Sequence, residues 1–178
     1  MNNSFGKRII PANDKARLKA LDSYQILNTL PEGFFNNLAL IVAKSFDTPI
    51  ALISLVGKDE VFFKANHGMP GVTHTDRGIS LCSLAILDNH PTVFKDAEKE
   101  PCLLANPLVA GEFGLKFYAG APITTPDGFN IGTVCIVDKQ PRSFSNSEQE
   151  LLTSFAASAM DAIIERKKNI VASGQLTS

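Results

Sequence analysis

Residues 116–138 run Lys-Phe-Tyr-Ala-Gly-Ala-Pro-Ile, then Thr-Thr-Pro-Asp-Gly-Phe-Asn, then Ile-Gly-Thr-Val-Cys-Ile-Val-Asp. Two β-rich runs flank a loop that holds Pro126, Asp127 and Gly128, which predicts a hairpin. Both runs are apolar at nearly every position instead of at alternate ones, so each strand needs cover on both faces. Gly120, Gly132 and the alanines at 119 and 121 leave thin places where a neighbouring backbone or a small ligand can come close.

Working outward, Pro141 and Arg142 lead into Ser145-Asn-Ser-Glu148, a capping box that opens a helix. Leu152, Phe155, Ala159, Ala162 and Ile163 trace one face of it, and Glu165-Arg-Lys-Lys168 puts mostly positive charge near its end, where the helix dipole favours it. From Ser145 to Asn169 such a helix is about 37 Å long at 1.5 Å per residue, more than the domain needs for its own cover. The surplus is expected to pair with another chain or lead to another domain. Asp138 and Arg142 are expected to form a strand-end ion pair.

Upstream of the hairpin, residues 72–114 are mostly irregular, with a short helix expected at Cys82 to Asn89 and a short strand at Thr92 to Phe94. A long irregular stretch inside a compact domain forms a lid or a binding site. Ile50 to Val56 and Val61 to Asn66 read as two strands joined at Gly57-Lys-Asp-Glu60, and His67 to Gly71 as loop. Before them, residues 13 to 28 favour helix. Thr29 with Glu32 makes a Thr-x-x-Glu box, predicting a second helix whose stripe is Phe34, Leu38, Ile41 and Val42. The layout is α+β: helices at the ends, an antiparallel sheet in the middle. We divide it into a loose arm (1–12), a single domain (13–170, with helical ends at 13–47 and 145–170) and a frayed tail (171–178).

The totals agree with a globular domain. The chain has 178 residues, 44% of them hydrophobic, and a mean hydropathy of +0.05. A net charge of −1 argues against non-specific binding to nucleic acid or anionic lipid. No apolar run reaches spanning length and the N-terminus is polar, so neither a signal peptide nor a membrane helix is expected. Cys82, Cys102 and Cys135 are three cysteines without C-x-x-C spacing, which fits reduced thiols in a cytoplasm better than a disulfide frame.

A set of short motifs gives the chain a family resemblance. They are Ala-Leu-x-x-Tyr-x-Ile-Leu-Asn-Thr-x-Pro-Glu (20–32), Pro-Ile-Ala-Leu-Ile-Ser-Leu-Val (49–56), Phe-Phe-Lys-Ala-x-x-Gly (62–68) and Ser-x-Cys-x-x-Ala-Ile (80–86). Asp96-Ala97, Asn-Pro-Leu-Val (106–109), Phe-Tyr-Ala-Gly-Ala-Pro (117–122) and Gly-Thr-Val-Cys-Ile-Val-Asp (132–138) complete it. In number, order and spacing these motifs resemble a GAF domain of the subgroup found at the N-termini of bacterial sensor histidine kinases and diguanylate cyclases. The resemblance implies a GAF/PAS-like, six-stranded antiparallel sheet. N- and C-terminal helices lie on one face, and a lid with short helices encloses a small-molecule pocket on the other. It also implies a sensory role and dimerisation through the terminal helices. Two departures stand out. Leu81 and Leu84 replace the subgroup's usual Phe and His in the helix after the lid's first part, removing a group that titrates near neutrality. No kinase, cyclase or phosphodiesterase sequence follows, so output is expected through association or ligand binding.

For ligand recognition the candidates are Cys82, Asp96, Asn106 and Tyr118, lid and strand groups that would supply thiol, acceptor, amide and phenol to an apolar wall. Each has a structural alternative: Cys82 as a small core residue, Asp96 as a cap on the turn into Ala97, Asn106 as a turn residue held extended by Pro107. Of the two faces of 117–121, we assign Tyr118 with Gly120 to the lid side. Catalysis has little support. Gly78-Ile-Ser-Leu-Cys82 loosely resembles a segment of the free methionine-(R)-sulfoxide reductases, which are single GAF domains. Their nucleophilic Cys before Asp has no counterpart here, however, where Leu104-Ala-Asn106 stands in that place. Cys82-Ser-Leu84 only faintly resembles a bilin attachment site. His67, His74 and His90 have no compact ligand spacing, and exposed loop positions are expected for them. The expected molecule is therefore a non-catalytic sensory homodimer that binds an unidentified small molecule, no cofactor being specified. A thiol-dependent reductase and a ligandless interaction module are the alternatives.

Overall fold

In the computed structural model, which describes residues 2–174, six antiparallel strands form one sheet. They are β1 (Ile50–Val56), β2 (Glu60–His67), β3 (His74–Asp76), β4 (Thr92–Phe94), β5 (Phe117–Thr124) and β6 (Asn130–Asp138), ordered β3-β2-β1-β6-β5-β4. The hairpin β5–β6 lies near the centre, Phe117 opposite Asp138 and Gly120 opposite Cys135. Burial is nearly continuous along β1, β5 and β6, as strands covered on both faces require. Successive side chains alternate between two separate cores. Ala51, Ile53, Leu55, Phe117, Ala119, Ala121, Val134 and Ile136 face the terminal helices. Leu52, Val56, Tyr118, Cys135 and Val137 face the lid.

Helices α1 (Asp14–Asp22), α2 (Gly33–Phe46) and α5 (Asn146–Ala172) cover the first face. The capping box of α5 is formed: Ser145 accepts from the Glu148 amide while Glu148 accepts from the Ser145 amide. The helix buries Leu152, Ala156, Ala159, Met160 and Ile163, and from Ile164 to Ala172 nothing on it is buried. Arg142 pairs with Asp138 at 3.1 Å and also donates to the Phe46 and Asp47 carbonyls, tying the strand end to the end of α2. Of the tail expected to fray, 171–172 belong to α5, and 175–178 lie outside the described residues.

The N-terminal region differs from the sequence expectation in three ways. First, α1 stops at Asp22, because Gln25 and Asn28 take positive φ and bend the chain out of helix. Second, Thr29 caps nothing. Leu30 precedes Pro31 and is held away from helical geometry, so α2 starts only at Gly33. Thr29 and Glu32 instead receive Lys64, whose Nζ donates to Thr29 Oγ1, the Leu30 carbonyl and Glu32 Oε1 at 2.7–2.8 Å. With the later start, α2 buries Phe35, Leu38, Ala39, Val42, Ala43 and Phe46, leaving Phe34 and Ile41 56% and 52% exposed. Third, the arm is packed. Phe5 and Ile9 are buried in the lid-side core, and Ser4 donates from both its amide and its hydroxyl to the Gly78 carbonyl.

Two internal clamps hold these parts. Asp14 binds two buried guanidiniums, Arg17 at 2.8 Å and Arg77 at 2.8 Å, while those arginines donate to carbonyls of Val56, Gly57 and Lys58. Glu32 binds Lys64 and Arg166, both at 2.7 Å, and so joins α2 to β2 and to the far part of α5.

Candidate functional site

The lid starts at β3 and continues through α3 (Cys82–Ala85), β4, two 3-10 turns (Ala97–Lys99 and Pro101–Leu103) and α4 (Pro107–Ala110). α3 is shorter than the helix expected to reach Asn89, ending in turns after Ile86. Beneath the lid lies a cavity of about 180 Å³. Leu52, Phe63, Tyr118, Cys135 and Val137 contribute from the sheet; Ser80, Leu81, Cys82, Leu108, Phe113 and Leu115 contribute from the lid. Met69, Val72, His74 and Thr75 close the β2–β3 side. Nearly all of this wall is apolar, and its polar groups are a few hydroxyls, two thiols, an imidazole and the phenol.

Tyr118 is the floor. Its ring lies back across Gly120, where any side chain would collide with it. The glycine therefore serves the tyrosine's own packing and leaves no gap for a ligand. At Gly132 the close neighbour is the Ser54 carbonyl of β1, a backbone approach. The phenol hydroxyl donates to Cys82 Sγ at 3.5 Å, and Cys82 Sγ donates to Ser54 Oγ at 3.5 Å. Cys135 Sγ is 3.8 Å from Cys82 Sγ and 4.0 Å from Ser54 Oγ. Thr133, on the same face of β6, buries a hydroxyl without a partner among the described residues. At the inner end of the cavity Cys82, Cys135 and Tyr118, backed by the fully buried Ser54 and Thr133, thus form a cluster of three hydroxyl-bearing and two thiol side chains. Within it the Cys82 thiol is shifted below its usual pKa. The Cys135 thiol turned to it lowers its pKa, burial opposes, and the Ser54 and Tyr118 hydroxyls lower it further. The Cys82 sulfur and burial push Cys135 well above the usual thiol range, and burial raises the Tyr118 phenol.

Of the four residues singled out from the sequence, the structure brings Cys82 and Tyr118 together in the cavity wall. It does not bring the other two there. Asn106 is fully buried as the N-cap of α4: its carbonyl accepts from the Leu108 amide and its amide donates to Ser4 Oγ and the Ile79 carbonyl. That uses its hydrogen-bonding capacity to hold the arm and lid together. Asp96 stands at the N-cap position of the Ala97–Lys99 turn without a side-chain cap hydrogen bond and pairs with exposed Lys99 at 2.8 Å, outside the cavity lining. His74 sits in β3, not in a loop, and touches the cavity while its Nε2 meets Asn28 Oδ1 at 2.7 Å. Cys135, not among those four, belongs to the site. Strand parity carried that signal, since residues 133, 135 and 137 lie on the face shared with Tyr118. Among the described residues, no group of three or more His, Cys, Asp or Glu is placed to hold a metal, and no helix is long and apolar enough to cross a membrane.

Comparison with known proteins places this geometry in a family. A model described as the GAF domain matches residues 31–163. A cyclic di-GMP phosphodiesterase of Pseudomonas aeruginosa is 32% identical over 154 residues, which are 86% of this chain and 26% of that protein. The chain thus spans about a quarter of that relative's length. The solved GAF domain of an Acinetobacter phosphoenolpyruvate-protein phosphotransferase superposes with a TM-score of 0.61 at 16% identity, covering 90% of this chain and 98% of that one. A free methionine-R-sulfoxide reductase from Neisseria meningitidis, solved with its substrate, superposes with a TM-score of 0.61 at 18% identity, covering 90% and 96%. At those identities the likeness to both structures concerns the fold.

Proposed function

The chain belongs to the GAF domain family, and from that premise we propose that it is a regulatory, non-catalytic sensor whose lid-side cavity takes a small, largely apolar molecule. The observation that carries this reading is the cavity walled by Tyr118, Cys82 and mostly apolar side chains. Its volume of about 180 Å³ is below the roughly 300–1,000 Å³ of pockets for drug-sized ligands. With the lid closed, that favours a molecule nearer the size of a single aromatic ring than a nucleotide. Its wall offers hydrogen bonds only at a few points, so shape and apolar contact would dominate recognition. The resemblance to part of a cyclic di-GMP phosphodiesterase supports a signalling setting. Three free cysteines fit a reducing compartment such as the cytoplasm.

Output would pass through the terminal helices of a homodimer. The groove between α2 and α5, lined by Phe34, Phe35, Ala162 and Ile170 among others, supports that surface, as does the exposed Ile41 on α2. Native mass spectrometry of the protein purified from its own host tests the ligand. The expected result is an added mass that is released on denaturation and missing from Val137→Phe, which fills the cavity. An unchanged mass in both proteins would instead favour an interaction module with no ligand.

A further inference from the structure

Cys82 and Cys135 come from opposite walls of the cavity, one from α3 in the lid and the other from β6 in the sheet, 53 residues apart in sequence. Their sulfurs are 3.8 Å apart, both are free thiols, and both line the cavity. A reagent small enough to enter therefore reaches the two together. We propose that this pair is a dithiol switch: a small hydroperoxide admitted to the cavity oxidises Cys82 and Cys135 to a disulfide that staples the lid to the sheet.

The surroundings assign the roles. Cys82 sits where the Tyr118 hydroxyl donates to its sulfur and where Ser54 Oγ is within hydrogen-bond reach, so hydroxyls stabilise a thiolate there. The Cys82 thiolate attacks the terminal oxygen of the hydroperoxide and the O–O bond breaks. The alkoxide takes up the proton that Cys82 gave up and leaves as an alcohol, and Cys82 becomes a sulfenic acid. The Cys135 sulfur then displaces the hydroxyl from Cys82, which leaves as water with the Cys135 proton, and the S–S bond forms. In sum, two thiols and one hydroperoxide give one disulfide, one alcohol and one water; the thiols lose two electrons and the peroxide gains them. A dithiol reductant of the thioredoxin type reverses the step by exchange.

A disulfide is about 2.05 Å long, so the sulfurs must close by about 1.7 Å. α3 has four residues and β6 lies in mid-sheet, so the lid is the part that moves. Closure removes both S–H donors from the hydroxyl cluster and draws the cavity walls together. The switch does not depend on the cavity holding any other ligand.

The test is a thiol map of the full chain treated with stoichiometric hydrogen peroxide, then alkylated in denaturant and digested with trypsin. The three cysteines fall on separate peptides, 78–95, 100–116 and 117–139. The expected result is a peptide joining 78–95 to 117–139, dissolved by dithiothreitol, with Cys102 still alkylated and the same product from Cys102→Ser. Alkylatable thiols then fall from three to one per chain. Three alkylated cysteines after treatment would overturn the proposal, as would a cross-link through Cys102 or over-oxidation of Cys82 without a cross-link. Wild type and Cys102→Ser decide the matter, so it does not hang on whether Cys82→Ser or Cys135→Ser folds.

Discussion

Asp14 holds more of this fold than its place at the start of a short helix suggests. Arg17 and Arg77 are almost completely buried, and Asp14 is the carboxylate bound to both. Asp14→Asn leaves two guanidiniums buried without their counter-charge, and loss of one partner from a buried ion pair costs about 3–5 kcal/mol. Denaturant unfolding should show a loss of that order; a change within about 0.5 kcal/mol, as surface substitutions give, would contradict the clamp. The same clamp sets an acid limit. Burial raises the Asp14 pKa, but the hydrogen bonds and charges of Arg77 and Arg17 outweigh it, and the carboxyl ends below its ordinary 3.8. Glu32, with Lys64 and Arg166 against burial, ends below its ordinary 4.5. A depressed carboxylate pKa adds stability that is fully present above the ordinary value and is lost as pH falls through the folded value. Unfolding free energy should therefore stay level from neutrality to about pH 5 and decline below 4, with a shallower decline in Asp14→Asn.

Among the elements, the central hairpin and its covered faces were legible because a nearly unbroken apolar run has few ways to be buried. Parity divided residues 117–121 into two sets, the family resemblance supplied helices for one face and a lid for the other, and Tyr118 does face the lid, as assigned. The Lys64 clamp was not legible. Ile53 pairs with Ala65 and Ser54 with Phe63, so Lys64 is the extra residue of a β-bulge, and the bulge turns it toward Phe35, Thr29 and Glu32. Simple alternation cannot show a bulge, and a local Thr-x-x-Glu pattern reads as a cap when the lysine that claims it lies 35 residues away. Asn106 lies away from the cavity for a related reason: its partners Ser4 and Ile79 are set by tertiary packing of the arm and lid, whereas Asp96 is held by a local partner, Lys99 three residues on. The floor of the site gives a test at the level of strand β5. Gly120→Ala puts a methyl group into the Tyr118 ring, and overpacking costs about 1–3 kcal/mol. Thermal unfolding should drop accordingly, with a displaced Tyr118 ring in the crystal structure; an unchanged ring at wild-type stability would refute this reading of the glycine.

For the whole molecule, α5 is about 40 Å long at 1.5 Å per residue, and from Ile164 to Ala172 its residues are at most half-buried in this chain. Size-exclusion chromatography with light scattering should give a dimer that Phe34→Glu with Ile41→Glu converts to a monomer. A wild-type monomer at every concentration would remove the dimer from the account. A ligand site in the lid-side core is tested most directly by a methyl NMR titration with benzene, a probe suited to a small apolar cavity. Shifts should be confined to methyls that line the cavity, Leu52, Leu81, Leu108, Leu115 and Val137 among them, leave Ile53, Val134 and Ile136 on the helix side unmoved, and vanish in Val137→Phe. Shifts spread evenly over both cores, or none at all, would contradict a ligand site beneath the lid.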